Sequence, residues 1–142
     1  GTEGLVVSYA KCCYPIPGDP ILGYISQEKG LVVHRQTCRS INHMKKQSDE
    51  TIDLSWDENV DDMFSASIKV EVDNVRGVLA MISSQIAQND SNIESVTYDD
   101  TKETGHNIMV FVITISDVKE LNKLIRKLKK NPNILNVERK KS

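Results

Sequence analysis

The stretch SASIKVEVDNVRGVLAMISSQI, from Ser65 to Ile86, changes its hydrophobic period once, and this change indicates a strand followed by a helix. In its first half, apolar and polar residues alternate, which predicts a β-strand with one buried face. Asn74–Gly77 carries the residues of a turn. Beyond this turn, apolar residues recur at helical spacing, which predicts an α-helix from Val78 to about Ile86.

Two more strands are predicted after this helix. Asn89–Asn92 ends the helix, and the apolar residues of 93–98 indicate a strand, although their alternation is less regular. Thr104-Gly105 marks a hairpin turn, and Ile108–Ile115 then reads as a long apolar strand. The two strands are therefore expected to pair as a hairpin.

A second helix and a last strand complete the pattern. Asp117, followed by Glu120, resembles the start of a capping box. An apolar stripe at helical spacing follows, and Asn131-Pro132 ends this helix because proline lacks a backbone donor and restricts its predecessor. Ile134–Val137 is predicted as the last strand. The stripe consists of Leu121, Leu124, Ile125 and Leu128.

The resulting order is βαββαβ, which predicts a ferredoxin-like fold with both helices on one face of a four-stranded antiparallel sheet. The strand Ile108–Ile115 is apolar on both faces, whereas the helices can cover only one. We therefore expect the other face to pack on a second copy of the chain or on the N-terminal half. One face carries Ile108, Val110 and Val112, and the other carries Met109, Phe111, Ile113 and Ile115.

The first half of the chain has a different texture, rich in Gly, Pro and Cys with short extended runs. Thr37 is placed to cap a short helix from Cys38 to Lys46. The acidic, unpatterned stretch 57–63 suggests a domain boundary. The fold class is thus α+β, with a small Cys-containing β-rich domain at 1–60 and the ferredoxin-like domain at 61–142. Strands in the first domain are predicted at Leu5–Val7, Ile21–Ile25, Leu31–Val33 and Thr51–Trp56.

Cysteine and histidine residues of the first domain form a possible zinc site. Cys12-Cys13 is followed by His34 and Cys38, which are four residues apart and can converge on one ion from a turn or short helix. Three thiolates and one imidazole suit a structural zinc. Neighbouring side chains of a strand point apart, so Cys12 and Cys13 need a kink to share an ion. His43 is a spare ligand, and three packed, reduced cysteines without metal are the alternative.

The turn before the first predicted helix is a second candidate site. Gly77 permits close approach of the backbone, and free N–H groups at a helix start favour a carboxylate, such as that of an amino acid. The alternative is an ordinary strand-to-helix turn. The candidate ligand-binding residues are Asp73, Asn74, Val75, Arg76, Gly77, Val78 and Leu79, with Asn92 and Ile93 opposite.

Charge is unevenly distributed along a chain whose net charge is only -2. Residues 49–73 hold nine acidic residues and one basic residue, whereas residues 117–142 hold nine basic and three acidic residues. Both regions can be solvated faces, or the basic helix can bind RNA phosphate or an acidic protein. The candidate contacts are Lys119, Lys123, Arg126, Lys127, Lys129 and Lys130.

Several functions are disfavoured by the same sequence. No apolar run approaches the roughly 20 residues of a membrane helix, so no membrane partner is expected. No P-loop, dinucleotide fingerprint or His-Asp metal cluster is present, and no catalytic residue is predicted. Three cysteines are few for a disulfide-stabilised fold, and an odd number leaves one unpaired. Both points favour a reducing, cytoplasmic setting.

Two sequence motifs, which follow one another in the family's order, resemble the C-terminal region of long RelA/SpoT-family proteins. Their residues are more similar to those of the SpoT branch. They are Tyr9-Ala-Lys-Cys-Cys-Tyr-Pro-Ile-Pro-Gly-Asp-Pro20 and Lys29-Gly-Leu-Val-Val-His-Arg-Gln-Thr-Cys38. The strand ending at Asn74, followed by Arg76-Gly-Val-Leu79, is similar to the start of an ACT domain. The usual ACT turn has proline before glycine, whereas Arg76 stands there.

This resemblance implies a zinc-finger-like (conserved-cysteine) domain followed by an ACT, or RRM-like, domain. It further implies a regulatory piece without catalysis of its own, with (p)ppGpp hydrolase and synthetase domains upstream as partners. The implied mechanism is allosteric control of alarmone metabolism in the stringent response. Other implied partners are ribosomal RNA and tRNA, a regulatory protein, a second copy bound through the ACT sheet, and a branched-chain amino acid.

Overall fold

The computed structural model describes residues 6–26, 28–41, 51–99 and 106–141, which form two compact units. The first unit extends to Asp61, and the second spans Asp62–Lys140. Leu5, His43, the predicted helix end at Lys46 and the predicted turn Thr104-Gly105 lie outside the described residues. Within those ranges, every helix is too short or too polar to cross a membrane.

The first unit is built on a four-stranded sheet. Its strands are β1 (Val7–Tyr9), β2 (Ile21–Ser26), β3 (Gly30–Arg35) and β4 (Thr51–Leu54). Their spatial order is β1-β3-β2-β4. β1 runs parallel to β3, and β2 is antiparallel to both β3 and β4. Residues 39–41 are helical.

Three predicted strand ends in this unit were wrong by two residues. β3 ends at Arg35 and not at Val33. β1 reaches Tyr9 because its residues pair with β3 from Val7 opposite Leu31 to Tyr9 opposite Val33. β4 ends at Leu54, before Trp56. The Trp56 indole N–H donates to the Asp19 carbonyl oxygen at 2.9 Å, and its ring stacks on that of Tyr9 at 5.9 Å. Tertiary contacts therefore determine the position of Trp56.

The second unit has the predicted βαββαβ order. Its elements are β5 (Phe64–Val72), α1 (Val78–Gln88), β6 (Ile93–Asp99), β7 (Asn107–Ile115), α2 (Val118–Lys129) and β8 (Ile134–Arg139). The sheet has the spatial order β6-β7-β5-β8, and each neighbouring pair is antiparallel. The first and third strands are thus central, as in a ferredoxin-like fold, and the predicted fold class is confirmed.

The core of the second unit lies between one sheet face and the two helices. On β7, Met109, Phe111 and Ile113 are buried and stand opposite the buried alternate residues of β5. The helical stripes contribute Ile82, Ile86, Leu121, Leu124 and Leu128, which are at most 1% exposed. On the other sheet face Val110 and Val112 are half-buried. What covers them stays a prediction.

Candidate metal centre and candidate ligand sites

A tight turn at Lys11–Cys13 supplies two neighbouring thiols. The Tyr14 backbone N–H donates to the Ala10 carbonyl oxygen at 2.8 Å, which closes one helix-like turn, and Tyr14 has a φ of 45°. Successive side chains in such a turn diverge by about 100°, compared with about 180° in a strand. The turn therefore provides the kink that Cys12 and Cys13 need to face one point.

β3 and the turn after it supply the other two candidate ligands. His34 lies on β3 and is 4% exposed. The Cys38 backbone N–H donates to the Arg35 carbonyl oxygen at 2.9 Å, so the chain turns back directly after the strand. The Ile41 N–H in turn donates to the Cys38 carbonyl oxygen at 3.2 Å. Cys38 thus lies at the start of the helical residues and close to His34.

The four side chains converge on one point. The Cys12 Sγ atom lies 3.5 Å from His34 Nδ1 and 3.5 Å from Cys38 Sγ. Cys13 Sγ lies 3.9 Å from the same His34 nitrogen. All four ligand atoms lie within 4.8 Å of one another.

The separations of 3.5 and 3.9 Å are close to those between the ligand atoms of a tetrahedral zinc ion. Zn–S bonds of about 2.3 Å and Zn–N bonds of about 2.0–2.1 Å place tetrahedral ligand atoms roughly 3.5–3.8 Å apart. Cys13, His34 and Cys38 are buried, and Cys12 is exposed. Four protein ligands leave no open position, as in structural rather than catalytic zinc sites. The cluster is thus able to hold a metal in the way the sequence suggests.

The thiols differ in acidity. Burial raises the pKa of Cys13 to about 12. Burial, followed by the hydrogen bond and charge of Cys38, also raises the pKa of Cys12. Burial acts on Cys38 as well, but hydrogen bonds from His34 and the Ser40 backbone outweigh it and lower the pKa of Cys38 to about 6. Cys38 is therefore the thiol best prepared to bind a metal as a thiolate.

A supporting shell holds the ligands in place. The Arg35 backbone N–H donates to Cys13 Sγ at 3.3 Å, a contact that stabilises a ligating thiolate. Asp19 is 8% exposed, and its carboxylate accepts from the Ile16 backbone N–H at 2.8 Å. Asp19 thereby fixes the loop that follows the two cysteines. Sequence reasoning gave Asp19 no such role, although Pro17-Gly18-Asp19-Pro20 carried a turn signal.

The candidate amino-acid site on the second unit begins at the turn between β5 and α1. Gly77 is the N-cap of α1 and has a φ of 82°. Arg76 N donates to Asn74 Oδ1 at 3.0 Å. The Asp73 carboxylate pairs with His106 Nδ1 at 2.9 Å, so a carboxylate of the protein itself already lies at this turn.

The predicted residues Asn92 and Ile93 lie at the other end of α1. The Asn92 N–H donates to Thr114 Oγ1, and Ile93 opens β6. Helix α1 has 11 residues, which corresponds to about 16 Å. One copy of this domain therefore does not bring residues 73–79 and residues 92–93 to the same ligand.

The candidate RNA-binding residues lie on or directly after α2. Lys119, Lys123, Arg126 and Lys130 are exposed and spaced by three or four residues, which places them along one face. Lys129 is also exposed. Lys127 differs, because its Nζ donates to Asn89 Oδ1 at 3.0 Å and so links α2 to the end of α1.

Family comparisons fit both units. Residues 1–57 match the RelA/SpoT RIS domain, and residues 61–139 match an ACT domain. A cysteine-containing RIS unit followed by a ferredoxin-like ACT unit defines a regulatory region of two domains. The chain belongs to the RelA/SpoT family. The resemblance seen in the cysteine motifs and the ACT turn is therefore confirmed.

Relatives match along nearly the whole chain. The bifunctional (p)ppGpp synthase/hydrolase SpoT of Escherichia coli K12 is 34% identical over 143 positions, which cover 100% of this chain and 20% of SpoT. The guanosine-3′,5′-bis(diphosphate) 3′-pyrophosphohydrolase of Vibrio cholerae is 32% identical, covering 100% and 20%. The GTP pyrophosphokinase of Myxococcus xanthus is 29% identical, covering 98% and 18%. The chain thus spans about a fifth of the length of these relatives.

Solved structures resemble part of the chain. The ACT domain from the GTP pyrophosphokinase of Chlorobium tepidum is 24% identical, with a TM-score of 0.45, over 56% of this chain and 100% of that domain. A homoserine dehydrogenase from Thiobacillus denitrificans is 16% identical, with a TM-score of 0.46, over 56% of this chain and 17% of the enzyme. The family assignment rests on the sequence matches.

Proposed function

We propose that this chain is the regulatory part of a SpoT-like bifunctional (p)ppGpp hydrolase/synthetase. The observation that carries the proposal is the match to SpoT along 100% of the chain, through both domains and in the same order. The relatives named as hydrolases and synthetases are about five times longer than the matched region. Catalysis of (p)ppGpp synthesis and hydrolysis is therefore assigned to other parts of such a protein.

The proposed mechanism is allosteric. A ligand or partner that binds one arrangement of the RIS and ACT domains more tightly shifts the population towards it, and this shift favours hydrolysis over synthesis or the reverse. Differential binding of about 1–3 kcal/mol is enough to change the balance 5- to 150-fold.

In this proposal, zinc is a structural part of the RIS domain. Cys12, Cys13, His34 and Cys38 hold the ion, which joins the turn after β1 to β3 and to the residues that follow it. The bound ion supplies a cross-link in a unit whose buried core is small. Cys13 and Cys38 themselves belong to that core, together with Ala10, Leu22 and Ile41.

A chimaera tests the regulatory role. The matching region of Escherichia coli SpoT is replaced by this chain, and (p)ppGpp synthesis and hydrolysis are measured in fed and starved cells. We expect the chimaera to keep a starvation response that a SpoT truncated before this region lacks. A chimaera indistinguishable from the truncated protein in both activities would contradict the proposal.

A matched pair of chimaeras tests whether the starvation response depends on the cysteine cluster. Replacing Cys13 and Cys38 by serine removes two buried candidate ligands, whereas Lys140→Gln changes one exposed residue near the end of the chain. We expect the first chimaera to lose the starvation response and the second to keep it. Equal behaviour of the two would count against a role for the cysteine cluster.

Binding to the ribosome is a second candidate function, and the exposed basic face of α2 favours it. Lys119, Lys123, Arg126 and Lys130 present four cations along one face, and phosphate contacts of this kind make binding strongly dependent on salt. We expect ribosome binding to fall at least tenfold between about 50 and 200 mM salt. Lys123→Glu with Arg126→Glu should abolish it, and Lys127→Gln should change it little. Binding that is absent or insensitive to salt would exclude this function.

Amino-acid sensing through the turn 73–79 stays a prediction. An NMR titration of the chain with the twenty amino acids tests it. Saturable shifts at Asn74–Leu79 would identify the ligand class. If no resonance shifts at millimolar concentration, free amino acids are not the signal.

A further inference from the structure

A cavity of about 340 Å³ opens on the RIS domain beside the cysteine cluster. Its volume is at the lower end of the range of roughly 300–1,000 Å³ that is typical of small-molecule sites. It lies between the turn that follows β1 and one face of the β2–β3 pair. Neither the proposed ribosome-binding face of α2 nor the candidate amino-acid site at residues 73–79 includes this cavity.

The floor of this cavity is apolar. Tyr24 on β2 stands directly opposite Val32 on β3, so both side chains point to the same face of the sheet. Both residues are half-buried, and buried Ala10 adds to the apolar surface. An aromatic ring beside aliphatic groups is suited to hold a planar ring by stacking and apolar contact.

The rim of the cavity is positive. Lys11 and Lys29 are exposed and line it from two separate segments of the chain. Ser26 Oγ accepts the backbone N–H groups of Glu28 and Lys29, each at 3.3 Å, so its own proton remains to be donated. Among the described residues that line the cavity, none is acidic. The rim therefore favours an anion, and two ammonium groups favour a doubly charged phosphate over a single carboxylate.

The inner wall of the cavity is formed by Cys12 and His34, which also belong to the candidate metal site. Three thiolates and one zinc ion have a net charge of -1, which the two lysines exceed. A ligand in the cavity would contact two of the four metal ligands. Because Cys12 is the exposed member of the four, we expect a bound ligand to cover the approach to the ion and to slow its removal by a chelator.

We propose that this cavity binds a small phosphorylated molecule with a planar ring, of the class of the nucleoside monophosphates. Lys11 and Lys29 hold the phosphate, and Tyr24 and Val32 hold the ring. The cavity is of small-molecule size, so the proposed occupant is a free nucleotide and not a segment of RNA. This site is independent of the proposed control of (p)ppGpp metabolism, and either proposal can fail alone.

The test is an NMR titration of the labelled full chain with AMP and GMP. Adenosine, ribose 5-phosphate, inorganic phosphate and a short RNA oligonucleotide serve as comparisons. We expect saturable shifts at Tyr24, Val32 and Lys11 with the nucleotides, and at least tenfold weaker binding of adenosine and of ribose 5-phosphate. Binding no tighter than that of inorganic phosphate would overturn the proposal. If the RNA oligonucleotide shifts the signals of Tyr24, Val32 and Lys11 and the nucleotides do not, the proposal is also overturned, and the cavity is an RNA contact.

Substitutions add a second line of evidence. Lys11→Gln and Lys29→Gln should each weaken nucleotide binding about tenfold, whereas Lys119→Gln on α2 should leave it unchanged. All three lysines are exposed, so folding should be preserved, and dispersed NMR spectra check this. Equal binding by all three variants would overturn the proposal.

Zinc loss gives a readout that does not depend on NMR. The transfer of zinc from the loaded chain to a chromogenic chelator is timed with and without GMP. We expect GMP to slow this transfer in the unsubstituted chain and not in the Lys11→Gln variant. If GMP binds without slowing zinc loss, the nucleotide does not occupy the cavity beside Cys12 and His34, and the proposal fails.

Discussion

Gly30 and Gly77, two of the glycines with a left-handed backbone, have different surroundings. Gly30 has a φ of 74°, and a β-carbon added there would lie 2.4 Å from the Val6 carbonyl oxygen. This oxygen cannot easily move, because it accepts the Leu31 N–H at 2.8 Å. Gly77 has a φ of 82°, but a β-carbon there would meet nothing within 4 Å. Of these two glycines, Gly30 therefore serves both a turn and a close approach of two backbones, whereas Gly77 serves a turn alone.

We expect Gly30→Ala to lower the free energy of unfolding by roughly 3 kcal/mol or more. Gly77→Ala should cost only the left-handed strain of about 1–2 kcal/mol. Urea unfolding measures both, with Trp56 fluorescence for the first unit and circular dichroism for the second. Trp56 is the only tryptophan of the chain and lies in the first unit. If both variants lose the same free energy of unfolding, the backbone at Val6 moves to accommodate the added β-carbon at position 30.

Ser91 is a buried polar residue whose removal should stabilise the ACT domain. Its side chain is 3% exposed, and within the part of the chain that the structure describes its hydroxyl has no hydrogen-bond partner. Burying an unpaired hydroxyl costs about 1–3 kcal/mol. We expect Ser91→Ala to raise the free energy of unfolding by about 1 kcal/mol in urea unfolding.

Ser95 provides the matched control, because it is exposed on β6. Ser95→Ala should change the free energy of unfolding by less than about 0.5 kcal/mol. A destabilised Ser91→Ala variant would show that the hydroxyl has a partner, such as a buried water molecule.

The two helices begin in different ways. The Asp117 side chain accepts the Glu120 N–H at 2.8 Å at the start of α2, whereas α1 starts at Gly77 without a side-chain cap. Three basic residues in the last turn of α2 further favour it through the helix dipole. The sequence signal at Asp117 and Glu120 therefore located a real helix start, but the start of α1 was recognised only from the turn before it.

We expect Asp117→Ala to lower the free energy of unfolding by about 1 kcal/mol, because it removes this cap. Asp117→Asn should lower the free energy of unfolding much less, since asparagine caps a helix about as well as aspartate. Circular dichroism during urea unfolding compares the two variants. If both variants lose the same free energy of unfolding, Asp117 stabilises the helix through its charge and not through the hydrogen bond.

The chain as a whole consists of two compact units, and only the first holds the candidate zinc site. Zinc binding to a site formed only on folding contributes directly to the stability of its own unit. We therefore expect a chelator to lower the midpoint of thermal unfolding of the first unit by at least about 10 °C. The second unit should show no comparable change.

Trp56 fluorescence follows the first unit, and NMR signals of buried residues such as Phe111 follow the second. Measurement of zinc in the purified chain gives the occupancy, and Cys38→Ser should reduce it to background. A chain that is purified without zinc and does not respond to the chelator would show that the four residues do not hold a structural metal.

Most of the ACT domain could be predicted from sequence because its signals are local. The alternation in β5 and the helical spacing in α2 reflect directions of side chains along a single element. Strand ends were less accurate where tertiary contacts decide them, as at Trp56, whose indole binds the Asp19 carbonyl oxygen. The fold class followed from the order of such elements, and the structure and the family matches agree with it.

The sequence by itself determined the types of ligand at the cysteine cluster, because thiolates and imidazole suit zinc wherever they lie. Only the tertiary structure brought Cys12 to His34 and Cys38, which are 22 and 26 residues away along the chain. It also turned Cys12 and Cys13 to the same point, separated Asn92 from the turn at Gly77, and formed the cavity between Lys11 and Lys29. Such convergence depends on the pairing of distant strands and on loop packing. Neither can be predicted from hydrophobic periodicity, because periodicity reflects only the local conformation of a segment.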